Sequence, residues 1–336
     1  MNLNDSVAAI LFLGVVAYAL FAGADFGTGV WDLTAGNAER GGAMRAQIDR
    51  SIGPVWEANH VWLIFVLVYL WSGFPRAFGA IMTTLFIPWM LVGLGIVLRG
   101  SAFAFRKFAA GVAEARLEGA IFAGSSVITP FFLGMIAGGI ASGRVPLQGG
   151  DLWTSWTGPT SWVGGTLAVL TCAFLAATFL AADAERSGQI ALAAQCGRNA
   201  FRAGIVTGVV ALLAVFPLRD DSETLVHRLE GHGSAPVVVS ALAGLTTLVL
   251  LRRNHWSVAR IAAVVAVASI VIGWGVGQYP DVLIDHATID AVAGARSTMV
   301  GLVIVFGIAA VTVVPSLLWL FALVHRPAAD SHASAG

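Results

Sequence analysis

Apolar residues along the chain gather into nine runs, each about as long as the roughly 20 residues a helix needs to cross a bilayer. They cover about 6–24, 55–74, 77–98, 119–142, 160–182, 200–218, 234–251, 256–277 and 298–324. Long continuous runs, rather than short alternating segments, predict helices and not a membrane β-barrel. The pattern therefore predicts an all-α integral membrane protein with nine transmembrane helices. The run over 234–251 is the shortest. Several runs are rich in glycine, which lets helices approach closely in lipid. Pro88, Pro130 and Pro315 fall inside runs and are expected to kink them. Residues 1–326 read as one polytopic membrane domain, and 327–336 as a short polar, flexible tail.

Composition agrees with this pattern. Of the 336 residues, 57% are hydrophobic and 11% charged, against about 25% charged in an ordinary soluble domain. Mean hydropathy is +0.83. There is no basic tract suited to nucleic acid. Cys172 falls in a predicted span and Cys196 in a predicted cytoplasmic loop, which supports neither a disulfide framework nor a metal site. The start, MNLNDS, is acidic where a signal peptide is positive, so the first run reads as a retained helix.

Charge placement sets the expected orientation. With the N-terminus outside, the inside segments hold Arg40, Arg45, Arg50, Arg99, Arg106, Lys107, Arg116, Arg186, Arg198, Arg202, Arg252, Arg253, Arg260 and Arg326. The outside segments hold Arg76, Arg144, Arg219, Arg228 and Arg296. This bias places the C-terminus in the cytoplasm. Trp153, Trp156 and Trp162 are expected to form an interfacial aromatic belt at one outer edge.

Three stretches carry candidate chemistry. The second run opens with Trp56, Glu57, Asn59, His60 and Trp62. An ionised group at a helix centre costs about 2.5 to 3.5 kcal/mol on insertion scales, and less near an interface. Glu57 and His60, three apart, share a helical face. They are expected either to handle protons while buried or, for Glu57, to cap the helix start in contact with water. The first run continues as GADFGTGVWDL, residues 23–33, where Gly23, Gly27 and Gly29 let the backbone pack closely or unwind around Asp25. Asp25 is expected at the inside edge of the membrane, as is Glu57. The third run ends in LGIVLRGSAFAFRKF, residues 94–108. Arg99 and Arg106 there read as snorkelling anchors, or one of them pairs with Glu57 or Asp25. His60 is the histidine well inside a predicted span, a poor basis for axial haem ligation.

GPVWEANHVWLI, residues 53–64, closely resembles the GPxWDGNxVWLI signature of subunit II of the cytochrome bd-type quinol oxidases. GADFGTG resembles that family's DGFDxGxG, LRGSAFAFR its LRGxAFEFR, and residues 124–146 and 279–295 its fourth helix and last outer loop. The resemblance implies two four-helix bundles plus one peripheral helix. It also implies a place in the bacterial cytoplasmic (inner) membrane beside a subunit I that carries haem b, haem d and the quinol site. Small single-helix subunits and membrane lipids would be further partners. The complex oxidises quinol and reduces oxygen to water, with protons taken from the cytoplasm. Subunit II would bind no haem, and would leave room for a structural quinone or lipid. On this resemblance Asp25, Glu57 and His60 are proton-path candidates, supported by Trp56, Asn59, Trp62, Arg99 and Arg106. Ala22 and Ala104 stand where the family places acids, which shortens any such path. A purely structural partner of the haem subunit and a polytopic secondary transporter are the competing readings.

Overall fold

A computed structural model describes residues 2–52, 56–105 and 111–324. Arg106, Lys107, Arg326 and the tail 327–336 lie outside the described residues, as does the side chain of Trp56. The helices are α1 Leu3–Thr34, α2 Ala38–Ile52, α3 Trp56–Gly73, α4 Pro75–Thr84, α5 Phe86–Phe105, α6 Val112–Ala141, α7 Pro159–Arg186 and α8 Ile190–Asp221. They continue as α9 Glu223–Glu230, α10 Ser234–Arg252, α11 Trp256–Gln278, α12 Ile289–Val292 and α13 Arg296–Val324. Strands β1 Asp281–Leu283 and β2 Ala287–Thr288 form one antiparallel hairpin before α12. Among the described residues, eight helices are long and apolar enough to span a membrane, or nine if the bent pair α3–α4 counts as one span.

That pair explains the main departure from the expected spans. Residues 57–73 and 75–84 are bent by 120° at Phe74. A residue before proline avoids helical backbone angles, and Phe74 sits at φ −135°, ψ 59° ahead of Pro75, which begins α4. A separate short helix therefore occupies the start of the expected run 77–98. The third full span starts only at Phe86 and runs on to Phe105. Pro88 then lies in the first turn of α5, where a missing N–H breaks no helical bond, so no kink is required there.

Helices α1, α3, α5 and α6 form one bundle, and α7, α8, α10 and α11 the other. The two join where α1 and α6 pack on α7, and α13 lies at the edge against α1 and α3. Small side chains dominate the second core, with Ala177, Ala181, Ala184, Ala193, Ala200, Ala259 and Ala263 buried around Leu175, Leu180 and Trp256. Cys196 belongs to this core. It is buried inside α8 with Sγ 3.8 Å from Met44 Sδ, not in the expected loop, because α8 begins ten residues before the apolar run.

The polar ends are tied separately. At one end, Asn4 donates to Asp290 at 2.7 Å, and His286 Nε2 bonds the Gly143 carbonyl at 2.7 Å. Arg144 there pairs with Asp221, and Arg228 with Asp281. Trp153 and Trp162 are exposed at this end, but Trp156 is buried, its Nε1 donating to the Leu152 carbonyl. The Asp151 carboxyl beside them is held below the usual carboxylate range, chiefly by the Thr154 N–H and then that of Trp153. At the other end, Arg45 of α2 pairs with Asp32 in the last turn of α1 at 2.6 Å and donates to the Gly36 carbonyl at 2.8 Å. Cations are favoured at helix C-termini, where carbonyls lack partners.

Candidate functional site

Tyr18, Ala22, Asp25, Phe26 and Gly29 recur at helical spacing along one buried stripe of α1. Glycine lets this stripe meet its neighbours backbone to backbone. A Cβ on Gly27 would lie 1.8 Å from the Cys172 carbonyl oxygen of α7, and one on Gly29 would lie 2.3 Å from Ser126 Cβ of α6. The helix does not unwind around Asp25. It continues nine residues further, about 14 Å at 1.5 Å per residue. Asp25 is thus buried within the protein rather than at a helix end.

Arg99 reaches Asp25 from α5. Its Nη2 donates to Asp25 Oδ1 at 2.7 Å, and its Nε donates to Ser126 Oγ at 3.0 Å. The guanidinium lies 5.1 Å from the Phe26 ring and 5.0 Å from that of Phe122, within cation–π range. The two side chains are 1% and 2% exposed. Of the two expectations for Arg99, pairing with Asp25 is the one the geometry fits, and snorkelling is not: six residues of α5 follow it, and it is the largest fully buried side chain among the described residues. Oδ2 of Asp25 is buried with no hydrogen-bond partner among the described residues, and so is the hydroxyl of Tyr18. A buried acceptor with open lone pairs can take a water or a proton.

His60 of α3 joins the cluster through its ring. It stacks on Phe26 at 5.6 Å and meets Tyr18 edge-on at 6.4 Å. Trp62 stacks on Phe21 of α1 at 6.3 Å, and Asn59 is buried. Glu57 does not join. It is exposed in the first turn of α3, in line with exposed Val61, Ile64, Val68 and Trp71. The expected burial of Glu57 does not hold within this chain, because its face of α3 is the one turned away from α1. Ser126, Phe122 and Tyr18 were not among the expected residues. The run GSSVIT, with two serines side by side in an apolar helix, was the available sign.

A family profile described as "Cytochrome bd terminal oxidase subunit II" matches residues 3–324. The chain belongs to that family. Among its relatives is "Cytochrome bd ubiquinol oxidase subunit 2" of Bacillus subtilis (strain 168), 30% identical over 130 residues. Another is the "Putative cytochrome bd menaquinol oxidase subunit II" of the same strain, 32% identical over 110 residues. The matched stretches cover 39% and 32% of this chain. They span about a third of the relatives' own length, 37% and 31%. The fold is that of a solved bd oxidase chain from Geobacillus thermodenitrificans, with a TM-score of 0.79 over 97% of this chain and 99% of that one, at 24% identity.

Proposed function

We propose that this chain is subunit II of a bd-type quinol oxidase in a bacterial cytoplasmic membrane, paired with a haem-bearing subunit I. We further propose that Asp25 handles protons on their way to the oxygen-reducing centre. The complex would oxidise two quinols, each losing two electrons and two protons, and reduce one oxygen molecule with four electrons and four protons to two waters. The haems belong to subunit I in this reading. The ring of His60 is packed by Phe26 and Tyr18, which leaves aromatic carbon where a macrocycle would need room.

The observation that carries the proton role is the open Oδ2 of Asp25 beside a fully engaged Oδ1. Arg99 holds one oxygen in place and leaves the other able to accept. Glu57 lies on an exposed face of α3. We assign that face to contact with subunit I, where the carboxylate would leave lipid for a polar seam. Family membership favours the oxidase over a transporter. The tight packing of the Asp25–Arg99 pair favours a second reading, in which this subunit is a structural partner alone.

Native membranes carrying a tagged chain decide between them. The chain should pull down a larger subunit with reduced-haem absorption bands, and Asp25→Asn, whose amide oxygen can still accept from Arg99, should assemble in lower yield but keep the same haem-to-protein ratio. Oxygen consumption should then fall about tenfold or more, within the range proton-transfer groups contribute. Full turnover with a normal haem-to-protein ratio sinks the proton role and leaves the structural one. A haem-free, partner-free preparation sinks the oxidase assignment itself.

A further inference from the structure

Four arginines converge at one end of the second bundle. Arg198 and Arg202 lie one turn apart on α8, while Arg252 and Arg253 close α10, and all four are exposed. Two contacts fix their neighbourhood. The Arg252 guanidinium lies 4.7 Å from the ring of Phe201, next to Arg202. Trp256, three residues past Arg253, packs on Gly197, next to Arg198: a Cβ there would lie 2.5 Å from Trp256 Nε1. None of the four pairs with a carboxylate among the described residues. Of the acids at the end of α7, Asp183 pairs with Arg186 and Arg260 and accepts from Ser51, while Glu185 accepts from Ser257 and from none of the four arginines.

Above the arginines the same flank is apolar. Ile205, Val209 and Leu212 of α8 and Leu245 and Val249 of α10 are exposed. The two helices touch there, since a Cβ on Gly204 would lie 2.9 Å from Leu248 Cδ2. Guanidinium groups that pair with no carboxylate among the described residues, next to an exposed apolar flank of two touching helices, match the shape of a phospholipid: phosphate at the charged end, acyl chains along the apolar wall. Guanidinium binds phosphate oxygens in a bidentate fork, which favours arginine over lysine for this task. Four cations within two turns exceed the charge of a single phosphate. We propose that Arg198, Arg202, Arg252 and Arg253 bind one anionic phospholipid of the two-phosphate, diphosphatidylglycerol type, with its chains on α8 and α10. This goes beyond the oxidase reading and does not depend on it.

The test uses the chain purified from membranes with whatever subunits accompany it. Native mass spectrometry counts lipid retained after detergent exchange in the presence of diphosphatidylglycerol or phosphatidylcholine. The wild type should keep one diphosphatidylglycerol, and phosphatidylcholine about tenfold less. The fourfold variant R198Q/R202Q/R252Q/R253Q should lose retention by about tenfold or more, as expected where each cation adds to attraction for anionic lipid. Arg252→Gln alone should lower it severalfold, which keeps the test readable if the fourfold variant does not assemble. Arg76→Gln, at the opposite end, should change nothing. Equal retention by wild type and Arg252→Gln, or equal retention of the two lipids, overturns the proposal. So does loss of a co-purifying acidic polypeptide from the variant with its lipid count unchanged.

Discussion

At the scale of single residues, Arg99 sets the energetics of the site. A guanidinium 1% exposed is tolerable because its charge is met by Asp25, one N–H by Ser126, and its flanks by Phe26 and Phe122. Removing one partner of a buried pair leaves a lone charge, which typically costs about 3 to 5 kcal/mol, whereas replacing both with apolar groups is often neutral. Arg99→Met should therefore lower thermal stability in detergent sharply. The double variant Asp25→Leu/Arg99→Met should recover much of that loss. Melting curves of the singles and the double form the cycle, and additive losses would show that the pair is not coupled. Both residues stood out in the sequence, but their depth did not. Hydropathy ended the third run at residue 98 and made Arg99 an edge residue. Hydropathy did not carry the break at Phe74–Pro75, which moves the end of the span from residue 98 to residue 105, about two turns toward the C-terminus. Ser126 was hidden for another reason, since hydroxyls are common in apolar helices and bond their own backbone.

At the scale of elements, the long helix α1 packs the first bundle against the second, and Gly27 fixes how closely. Gly27 and Gly23 offer a matched pair. A Cβ at Gly27 would lie 1.8 Å from a backbone carbonyl of α7, which cannot step aside, whereas one at Gly23 would find its nearest atom at 3.6 Å. Gly27→Ala should thus push α1 off α7 and cost on the order of 1 to 3 kcal/mol, the usual penalty of overpacking. Gly23→Ala should be neutral or slightly stabilising through the helix propensity of alanine. Unfolding midpoints of the two variants check this, and equal midpoints would mean that α1 can slide. The run of glycines was visible in the sequence as a sign of close packing or of unwinding. Deciding between these needed the partner surface, because local sequence says nothing of what lies across an interface.

At the scale of the whole molecule, the hydrophobic runs located the long helices, although the run 77–98 divides into α4 and α5; the grouping into two bundles came from the family resemblance and not from the runs. The sequence could not show which helix faces are turned outward for a protein and which for lipid, because both are apolar. One polar group breaks the tie. Glu57 heads the stripe Val61, Ile64, Val68 and Trp71 on α3, and a carboxylate facing hydrocarbon is unfavourable even near a helix end. No such group interrupts the exposed run of Val209, Leu212, Leu213 and Phe216 on α8. If the α3 face is the one covered by subunit I, a thiol placed there is shielded and one on α8 is not. Cysteines at Ile64, 60% exposed in this chain, and at Leu212, 73% exposed, make the comparison. The native thiols Cys172 and Cys196 are both buried and add little background. In intact membranes a lipid-soluble maleimide should label the Ile64→Cys variant about tenfold more slowly than Leu212→Cys, since thiol reaction follows access. Once the subunits are separated in detergent the two rates should converge. Equal rates in the intact membrane would mean that α3 faces lipid. Glu57 would then have to reach water from the first turn of its helix, and the proton route would have to start elsewhere.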